Sequence, residues 1–185
     1  MEKTKILALP RSIILENKFS IPFFTAIFSL SFFVPFLLGH SQLLVGTIVN
    51  ACLFISAVSM PKKFLIPLIV FPSLGVLARG VVFGPFTPFL IYFLPFIWLS
   101  NLVLISVFRK LYSFNYPVSV FVSAVAKYLF LLITANIYFK FKFIPAIFLQ
   151  TMGLNQLITA LLGGIIFLII LSFYGRHIAG SQRTS

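Results

Sequence analysis

Residues 118–138 read VSVFVSAVAKYLFLLITANIY, an apolar stretch long enough to cross a membrane, with Lys127 near its middle. A hydrocarbon core of about 30 Å needs roughly 20 consecutive apolar residues in a helix. A lysine near the bilayer centre costs about 2.5–3.5 kcal/mol on insertion scales, so it is rarely without a role. The only carboxylate side chains, Glu2 and Glu16, lie far from this stretch. Either Lys127 faces a polar cavity, where amides, carbonyls, water or an anionic guest meet its charge, or it is held neutral.

The composition is that of an integral membrane protein. Hydrophobic residues make up 61% of the 185-residue chain and charged residues 9%, and the mean hydropathy is +1.14. The net charge of +12 comes from short basic clusters between apolar runs. That pattern is typical of loops beside an anionic membrane face. We therefore expect an all-α integral membrane protein with the lipid bilayer, and no nucleic acid, as its partner.

The lengths of the apolar runs predict six transmembrane helices. These cover residues 20–38, 43–59, 64–78, 86–108, 118–138 and 153–174. The first run is longer than the roughly 7–15 residues of a signal-peptide core, so we expect it to be retained. The third contains Pro67, Pro72 and Gly75 and is expected to be kinked or broken. The predicted domains are a cytoplasmic amphipathic arm at 1–19, a six-helix transmembrane domain at 20–175 and a cytoplasmic tail at 176–185.

The Lys and Arg residues of the loops predict the orientation. With the N-terminus inside, the inner segments hold ten of them: Lys3, Lys5, Arg11, Lys18, Lys62, Lys63, Arg109, Lys110, Arg176 and Arg183. The outer loops hold three: Arg79, Lys140 and Lys142. Ten against three places both ends of the chain in the cytoplasm.

Polar side chains in or beside the predicted spans form the candidate site. An amide inside hydrocarbon must find a partner within the bundle. An interhelical hydrogen bond contributes only ~0.6 kcal/mol on average, so packing explains any single Asn as well as substrate contact does. Lys127 itself could instead be snorkelled or satisfied by the backbone.

The depths of these residues predict a pocket that opens outward. The outer ends of the spans hold His40, Gln42, Arg79, Asn136, Asn155 and Gln156, and Asn50, Asn101 and Lys127 lie deeper. A pocket of amides with Lys and Arg suits a small polar or anionic organic molecule. The predicted substrate-binding residues are His40, Gln42, Asn50, Arg79, Asn101, Lys127 and Gln156.

The sequence lacks the residues and motifs that several classes of protein function require. There is no carboxylate pair, zinc-protease signature, phosphate loop or nucleophile–His–Asp set, so we expect neither an enzyme nor a cofactor. His40 and His177 fall on opposite membrane faces in the predicted topology and cannot share a metal. Proton coupling usually needs an intramembrane carboxylate, which is missing, whereas sodium coupling through oxygen ligands stays open. The chain can bind a solute, but it has no evident motor to drive that solute uphill.

The chain resembles the substrate-binding S-components of energy-coupling-factor (ECF) transporters over roughly residues 20–174. The resemblance is carried by loose patterns: Gly39-His40-Ser41-Gln42 with Gly46 and Asn50, Gly84-Pro85 through Asn101, Ala126-Lys127, and Gln156. It implies a prokaryotic plasma-membrane protein that captures a vitamin-like solute. The implied partners are a transmembrane coupling subunit and two cytoplasmic ATPases.

The resemblance also implies a docking motif on the first helix. Members of the family often have Ala-x-x-x-Ala there, and the nearest match is Thr25-x-x-x-Ser29 with Ala26 adjacent. Small residues at this spacing allow close helix approach. Thr and Ser replace the two Ala residues of the family motif, so the resemblance leaves open whether this chain shares a common energising module with other S-components.

A non-transporting scaffold, similar to the small rod-shape-determining membrane proteins of bacteria, is the alternative hypothesis. It interprets the buried amides as packing contacts and the inner basic loops as docking sites. The glycine pair Gly163-Gly164 is interpreted as a close-packing or kink site in the last span.

Overall fold

The computed structural model describes residues 21–38, 41–80 and 88–181, with side chains as far as residue 173. The predicted arm at 1–19, His40, the start of the fourth predicted span and the last residues of the tail lie outside this part of the chain. The seven α-helices of the described part are α1 Ile21–Leu38, α2 Gln42–Ser59, α3 Leu65–Arg79, α4 Leu90–Leu111, α5 Tyr116–Lys140, α6 Ile147–Met152 and α7 Leu154–Ser181. A 3₁₀ turn at Lys62–Phe64 leads into α3, and no strand occurs in these ranges. The predicted all-α fold is confirmed.

Five segments are long and apolar enough to cross a membrane. They are α1, α2, α4, α5 and the α6–α7 unit over Ile147–Phe173. The third predicted span corresponds to α3, which has only 15 residues. At 1.5 Å per residue α3 is about 22 Å long, short of the roughly 30 Å hydrocarbon core. The described part of the chain is therefore mostly helical, with five segments suited to a multi-pass membrane protein.

Three local features differ from the predicted spans. The α3 helix is continuous from Leu65 to Arg79, so of the predicted kink or break the break does not occur. The short α6, which the apolar pattern did not predict, ends at Met152 with Gly153 as its C-cap, and α7 begins at Leu154. The helix predicted to end at residue 174 continues to Ser181. A six-residue helix gives too little periodicity to be recognised in an apolar sequence, because such a sequence lacks the polar punctuation of a soluble loop.

The helices alternate in direction, so the bundle has two distinct ends. Arg79, at the end of α3, donates to the carbonyls of Phe36 and Leu37 at the end of α1. At the other end, Arg109 of α4 donates to the carbonyl of Met60 directly after α2, at 3.4 Å. We name the first of these the cavity end. The second is the basic end, and it carries Lys62, Lys63, Arg109 and Lys110.

Aromatic packing fills the half of the bundle nearer the basic end. Phe54 and Phe108 are fully buried, with ring centroids 4.7 Å apart. Tyr116 and Phe167 pack on Phe108 from α5 and α7. The hydroxyl of Tyr116 donates to the carbonyl of Gly164, which ties the start of α5 to α7. This half of the bundle therefore has a continuous apolar core.

The pair α2 and α7 makes the most extensive helix–helix contact in the described chain. At Gly163 the backbones approach so closely that an added Cβ would lie 2.8 Å from both the backbone nitrogen of Ala51 and the Cβ of Asn50. At Gly164 an added Cβ would run into Val120 of α5. Glycine at these positions lets the helices meet at short distance. The interpretation of this pair as a close-packing site is confirmed.

Replacing Gly163 with alanine is expected to lower the free energy of unfolding by about 1–2 kcal/mol, because the added methyl group must push α7 away from α2. Reversible unfolding of the purified protein in mixed detergent micelles measures this change. Leu162→Ala is the matched control, since Leu162 is 41% exposed on the neighbouring position of the same helix. A Gly163→Ala protein as stable as the wild type would contradict the close contact.

Candidate ligand-binding cavity beside a buried lysine

Lys127 lies in the middle of α5 and is only 3% exposed. It follows Tyr116 by 11 residues and precedes Lys140 by 13, which places it about 16 Å from the nearer end of the helix. The ammonium group donates to Oδ1 of Asn50 and Oδ1 of Asn101, both at 2.8 Å. The lysine therefore does not snorkel, and side-chain amides rather than the backbone satisfy it.

The two amides are held in a fixed orientation by further hydrogen bonds. Asn50 donates through Nδ2 to the hydroxyl of Thr159 on α7 at 3.2 Å. Asn101 donates through Nδ2 to the carbonyl of Ile69 on α3 at 3.2 Å. Each amide oxygen thus faces the ammonium, and the bonds join α5 to α2 and α7 on one side and to α4 and α3 on the other. We call Lys127, Asn50, Asn101 and Thr159 the lysine cluster.

The contact between Asn101 and α3 lies beside a proline. Pro72 carries no N–H, so it interrupts the hydrogen-bond ladder of α3 near its middle. Close to this gap, the carbonyls of Ile69 and Val70 accept from the side chains of Asn101 and Ser73. Ser73 in turn accepts a hydrogen bond of 2.6 Å from Nε1 of Trp98, the single tryptophan of the chain. Two side chains of α4 therefore hold α3 at its weakest turn.

A cavity of about 380 Å³ adjoins the lysine cluster. This volume lies at the lower end of the roughly 300–1,000 Å³ of small-molecule sites. In its protonated form Lys127 has three N–H donors, and the asparagines accept from two of them. The third has no acceptor among the residues that the structure describes. Because Lys127 lines the cavity, this third donor is available to a guest.

A second polar group lines the cavity nearer the cavity end. Gln42, at the start of α2, donates to the carbonyl of Thr151 at 3.0 Å and accepts from Asn155 at 2.9 Å. Gln156 and the exposed Gln150 also line this part of the cavity, so it reaches the molecular surface beside α6 and α7. We call Gln42, Gln150, Asn155 and Gln156 the amide mouth. Apolar side chains lie along the cavity, including Val45, Val49, Val76, Ile97 and Met152.

Five of the seven predicted substrate-binding residues line this cavity: Gln42, Asn50, Asn101, Lys127 and Gln156. His40 lies outside the described residues. Arg79 is absent from the cavity lining, and its guanidinium donates instead to the last carbonyls of α1. Those carbonyls lie at the negative end of a helix, where a cation is favourable. Arg79 thus joins α1 to α3, and its predicted contact with a ligand stays a prediction.

The other residues singled out in the sequence lie away from the cavity. Asn136 is exposed and donates to the carbonyl of Leu132 on its own helix at 2.7 Å. On α1, Thr25 and Ala26 are exposed and Ser29 is half-buried. The hydroxyl of Thr25 donates to the carbonyl of Ile21 at 3.0 Å, so it needs no other partner. The predicted docking residues therefore lie on an accessible helix surface.

Thr159, Ser73 and α6 also contribute to the cavity and were not predicted as site residues. Thr159 follows Asn155 by four residues, so a polar stripe on one helix face was the signal that could have identified it. Ser73 gives no comparable signal, because a buried serine commonly bonds to its own helix. The lining residues Ile147 and Thr151 lie in α6, which was taken for part of a loop.

The chain was compared with protein-family models, curated proteins and solved structures, and it matches none of them. The lysine cluster and the cavity are therefore the observations from which a function can be inferred. Chemically, the site can hold a molecule about the size of a small metabolite. It offers one cationic donor at its deep end and neutral amides at its mouth.

Proposed function

We propose that the chain is the solute-capture subunit of an ATP-driven importer, of the ECF type that the sequence resembles. It binds a small polar or anionic organic solute in the cavity beside Lys127. The observation that carries this proposal is the third N–H donor of a buried lysine that lines a cavity. No Asp or Glu occurs after residue 16, so no side-chain carboxylate of the hydrophobic body can occupy that donor.

The proposed topology has six spans, with both ends of the chain in the cytoplasm of a prokaryotic cell. In this arrangement α3 crosses the membrane although it is short, supported by α1 on one side and by Trp98 and Asn101 on the other. The basic end faces the cytoplasm, in agreement with the ten-to-three distribution of Lys and Arg. The cavity end then faces outward, where a solute would enter.

The proposed partners are a transmembrane coupling subunit and two cytoplasmic ATPases. The chain has no nucleotide-binding motif, so the energy for uptake must come from another protein. The exposed surface of α1 around Thr25 and Ala26 is the proposed contact with the coupling subunit. Only 17% of the α1 window is buried in the bundle, against 61% of the α2 window, which leaves α1 the more available for a partner helix.

Native mass spectrometry of the purified protein tests the capture proposal. We expect a small molecule to be retained by the wild type and lost from the Lys127→Gln protein, with occupancy lowered at least about tenfold because a charge-assisted hydrogen bond is removed. Lys140→Gln is the matched control, since Lys140 is exposed on the same helix outside the cavity lining. An empty wild-type protein, together with uptake that Lys127→Gln leaves unchanged, would contradict the proposal.

The membrane scaffold remains the competing proposal, and the observation in its favour is the basic end. Lys62, Lys63 and Lys110 are exposed there, on the side of the bundle away from the cavity. A scaffold would need these charges to bind acidic partners, and it would be indifferent to Lys127. Co-purified ATPase subunits favour the importer, whereas co-purified cell-wall or cytoskeletal proteins that are lost on Lys62→Gln with Lys63→Gln favour the scaffold.

A further inference from the structure

With Lys127 protonated, the charge of the cavity is unbalanced by one unit. Among the described residues that line it, Lys127 is the single Lys, Arg, Asp or Glu. Its two partners are neutral amides, which stabilise an ammonium group through their oxygens but cannot neutralise it. The charge of an unpaired buried cation is costly, whereas a cation with a hydrogen-bonded counter-ion is tolerated. The missing counter-charge must come from outside the described chain.

We infer that the cavity binds a monoanion, most simply a carboxylate, whose charged group lies against the ammonium of Lys127. This inference rests on the proposed capture function and specifies the chemical class of the solute. The asparagine nitrogens strengthen the anion site. Each NH₂ group has two N–H donors, and for each the structure shows one bond, to Thr159 or to the carbonyl of Ile69. The second N–H of Asn50 and of Asn101 has no acceptor in the described residues and can join the third donor of Lys127.

The number of charged residues in the described cavity lining favours a monoanion over a dianion as the solute. A phosphate ester or dicarboxylate would bring a second negative charge into a cavity whose lining has one cation. That second charge would exchange part of its hydration for neutral amides alone, and no second cation of the described lining offsets the loss. A neutral molecule would leave the cation of Lys127 unpaired. A single negative charge is therefore the best match.

The part of the cavity away from Lys127 indicates the chemistry of the solute beyond its anionic group. Gln42 precedes Asn50 by eight residues on α2, a distance of about 12 Å along the helix. Between them the lining is apolar, with Val45 and Val49 on α2. Beyond the apolar part, the amide mouth offers both donors and acceptors. The geometry fits a solute with an anionic head, an apolar middle and an uncharged hydrogen-bonding group about 12 Å from the head.

Three probes of equal length test this inference on the purified full chain in lipid nanodiscs. They are 8-hydroxyoctanoate, a monoanion; 8-hydroxyoctanamide, its neutral analogue; and octanedioate, a dianion. We expect calorimetric titration to give the lowest Kd for the monoanion, with the amide about tenfold weaker or more because a charge-assisted bond is lost. The dianion is expected to bind more weakly than the monoanion as well.

Two variants test whether Lys127 causes the preference for a monoanion. In Lys127→Gln the Kd ratio of amide to carboxylate is expected to fall to about one, and the control Lys140→Gln should keep the wild-type ratio. Asn50→Asp offers a test that retains the lysine. The new carboxylate has the shape of the amide it replaces and lies 2.8 Å from the ammonium, so it should supply the counter-charge internally. Binding of 8-hydroxyoctanoate by Asn50→Asp is expected to weaken at least about tenfold.

Equal affinity for the carboxylate and the amide would overturn the inference, and so would a monoanion preference that survives in both Lys127→Gln and Asn50→Asp. Binding of none of the three probes by the wild type would overturn it too. The charge of any co-purified molecule, found by native mass spectrometry, separates this result from the capture proposal. A neutral or cationic molecule in the cavity ends the monoanion inference and leaves capture standing, whereas an empty protein ends both.

Discussion

Replacing Lys127 with leucine is expected to lower the free energy of unfolding by about 2–4 kcal/mol, the largest effect of a substitution in the lysine cluster. The change removes the donor from the amide oxygens of Asn50 and Asn101, which are 1% and 2% exposed. A buried acceptor that loses its partner costs about 1–3 kcal/mol. The separated helices stay inserted in the micelle or bilayer, so much of the insertion cost of Lys127 is present in both states and offsets only part of the loss.

The triple variant Lys127→Leu, Asn50→Leu, Asn101→Leu separates the contribution of the lysine cluster to stability from its contribution to solute binding. When the lysine and both of its amide partners become apolar groups of similar size, the net cost is small, and Thr159 keeps its own hydrogen bond to the carbonyl of Gln156. We therefore expect most of the lost stability to return, measured by unfolding in mixed micelles, while binding of the solute does not return. Lys140→Leu, at an exposed lysine of the same helix, should unfold like the wild type. A Lys127→Leu protein of unchanged stability would contradict the hydrogen bonds of the cluster.

The second large effect is expected at Gly75, where α3 contacts α1. A Cβ added to Gly75 would collide with the backbone carbonyl oxygen of Phe32. A backbone atom inside a helix cannot rotate away as a side chain can, so the two helices must separate. We expect Gly75→Ala to lower the free energy of unfolding by about 3 kcal/mol, near the upper limit of ordinary overpacking. The loss should exceed that of Gly163→Ala, because a Cβ at Gly75 would lie closer to the carbonyl oxygen of Phe32 than a Cβ at Gly163 would lie to any of its neighbours.

Unfolding measurements on Gly75→Ala need a control that adds bulk to the same helix without crowding it. Ala78→Val meets this need, because Ala78 is exposed near the end of α3. We expect Ala78→Val to change stability by less than about 0.5 kcal/mol, as surface substitutions usually do. Gly75→Ala should also loosen the cavity wall, since its neighbours Ser73 and Val76 line the cavity. Equal stability of the Gly75→Ala and Ala78→Val proteins would show that α1 and α3 are not in close contact.

Much of the helical architecture could be predicted because apolar run lengths report helices directly. The helices α1, α2 and α5 begin and end within about two residues of their predicted bounds. The break before α7 and the presence of α6 could not be predicted in the same way. Gly153 caps α6, and Phe148 of α6 packs against Phe93. Neither the cap nor this packing leaves a periodic signal in an apolar sequence.

The residues of the candidate site could also be predicted only in part. The presence of Lys127, Asn50 and Asn101 inside apolar runs marked them as residues that need partners. Arg79 was predicted as a site residue from its positive charge and its position at the outer end of a span, yet it binds the carbonyls of α1 instead of lining the cavity. A basic residue at a span end satisfies a helix terminus as readily as a ligand, and residue type alone cannot tell which.

The sequence by itself determined that the protein is helical and apolar, and that a lysine without an acidic partner lies deep within it. Only the tertiary structure decided which groups surround that lysine. Asn50 is 77 residues and Asn101 is 26 residues from Lys127, and each belongs to a different helix. Hydrophobicity sets whether a segment enters an apolar phase, one segment at a time. Helix pairing depends instead on close contacts such as those at Gly75 and Gly163, and these determine which side chains meet.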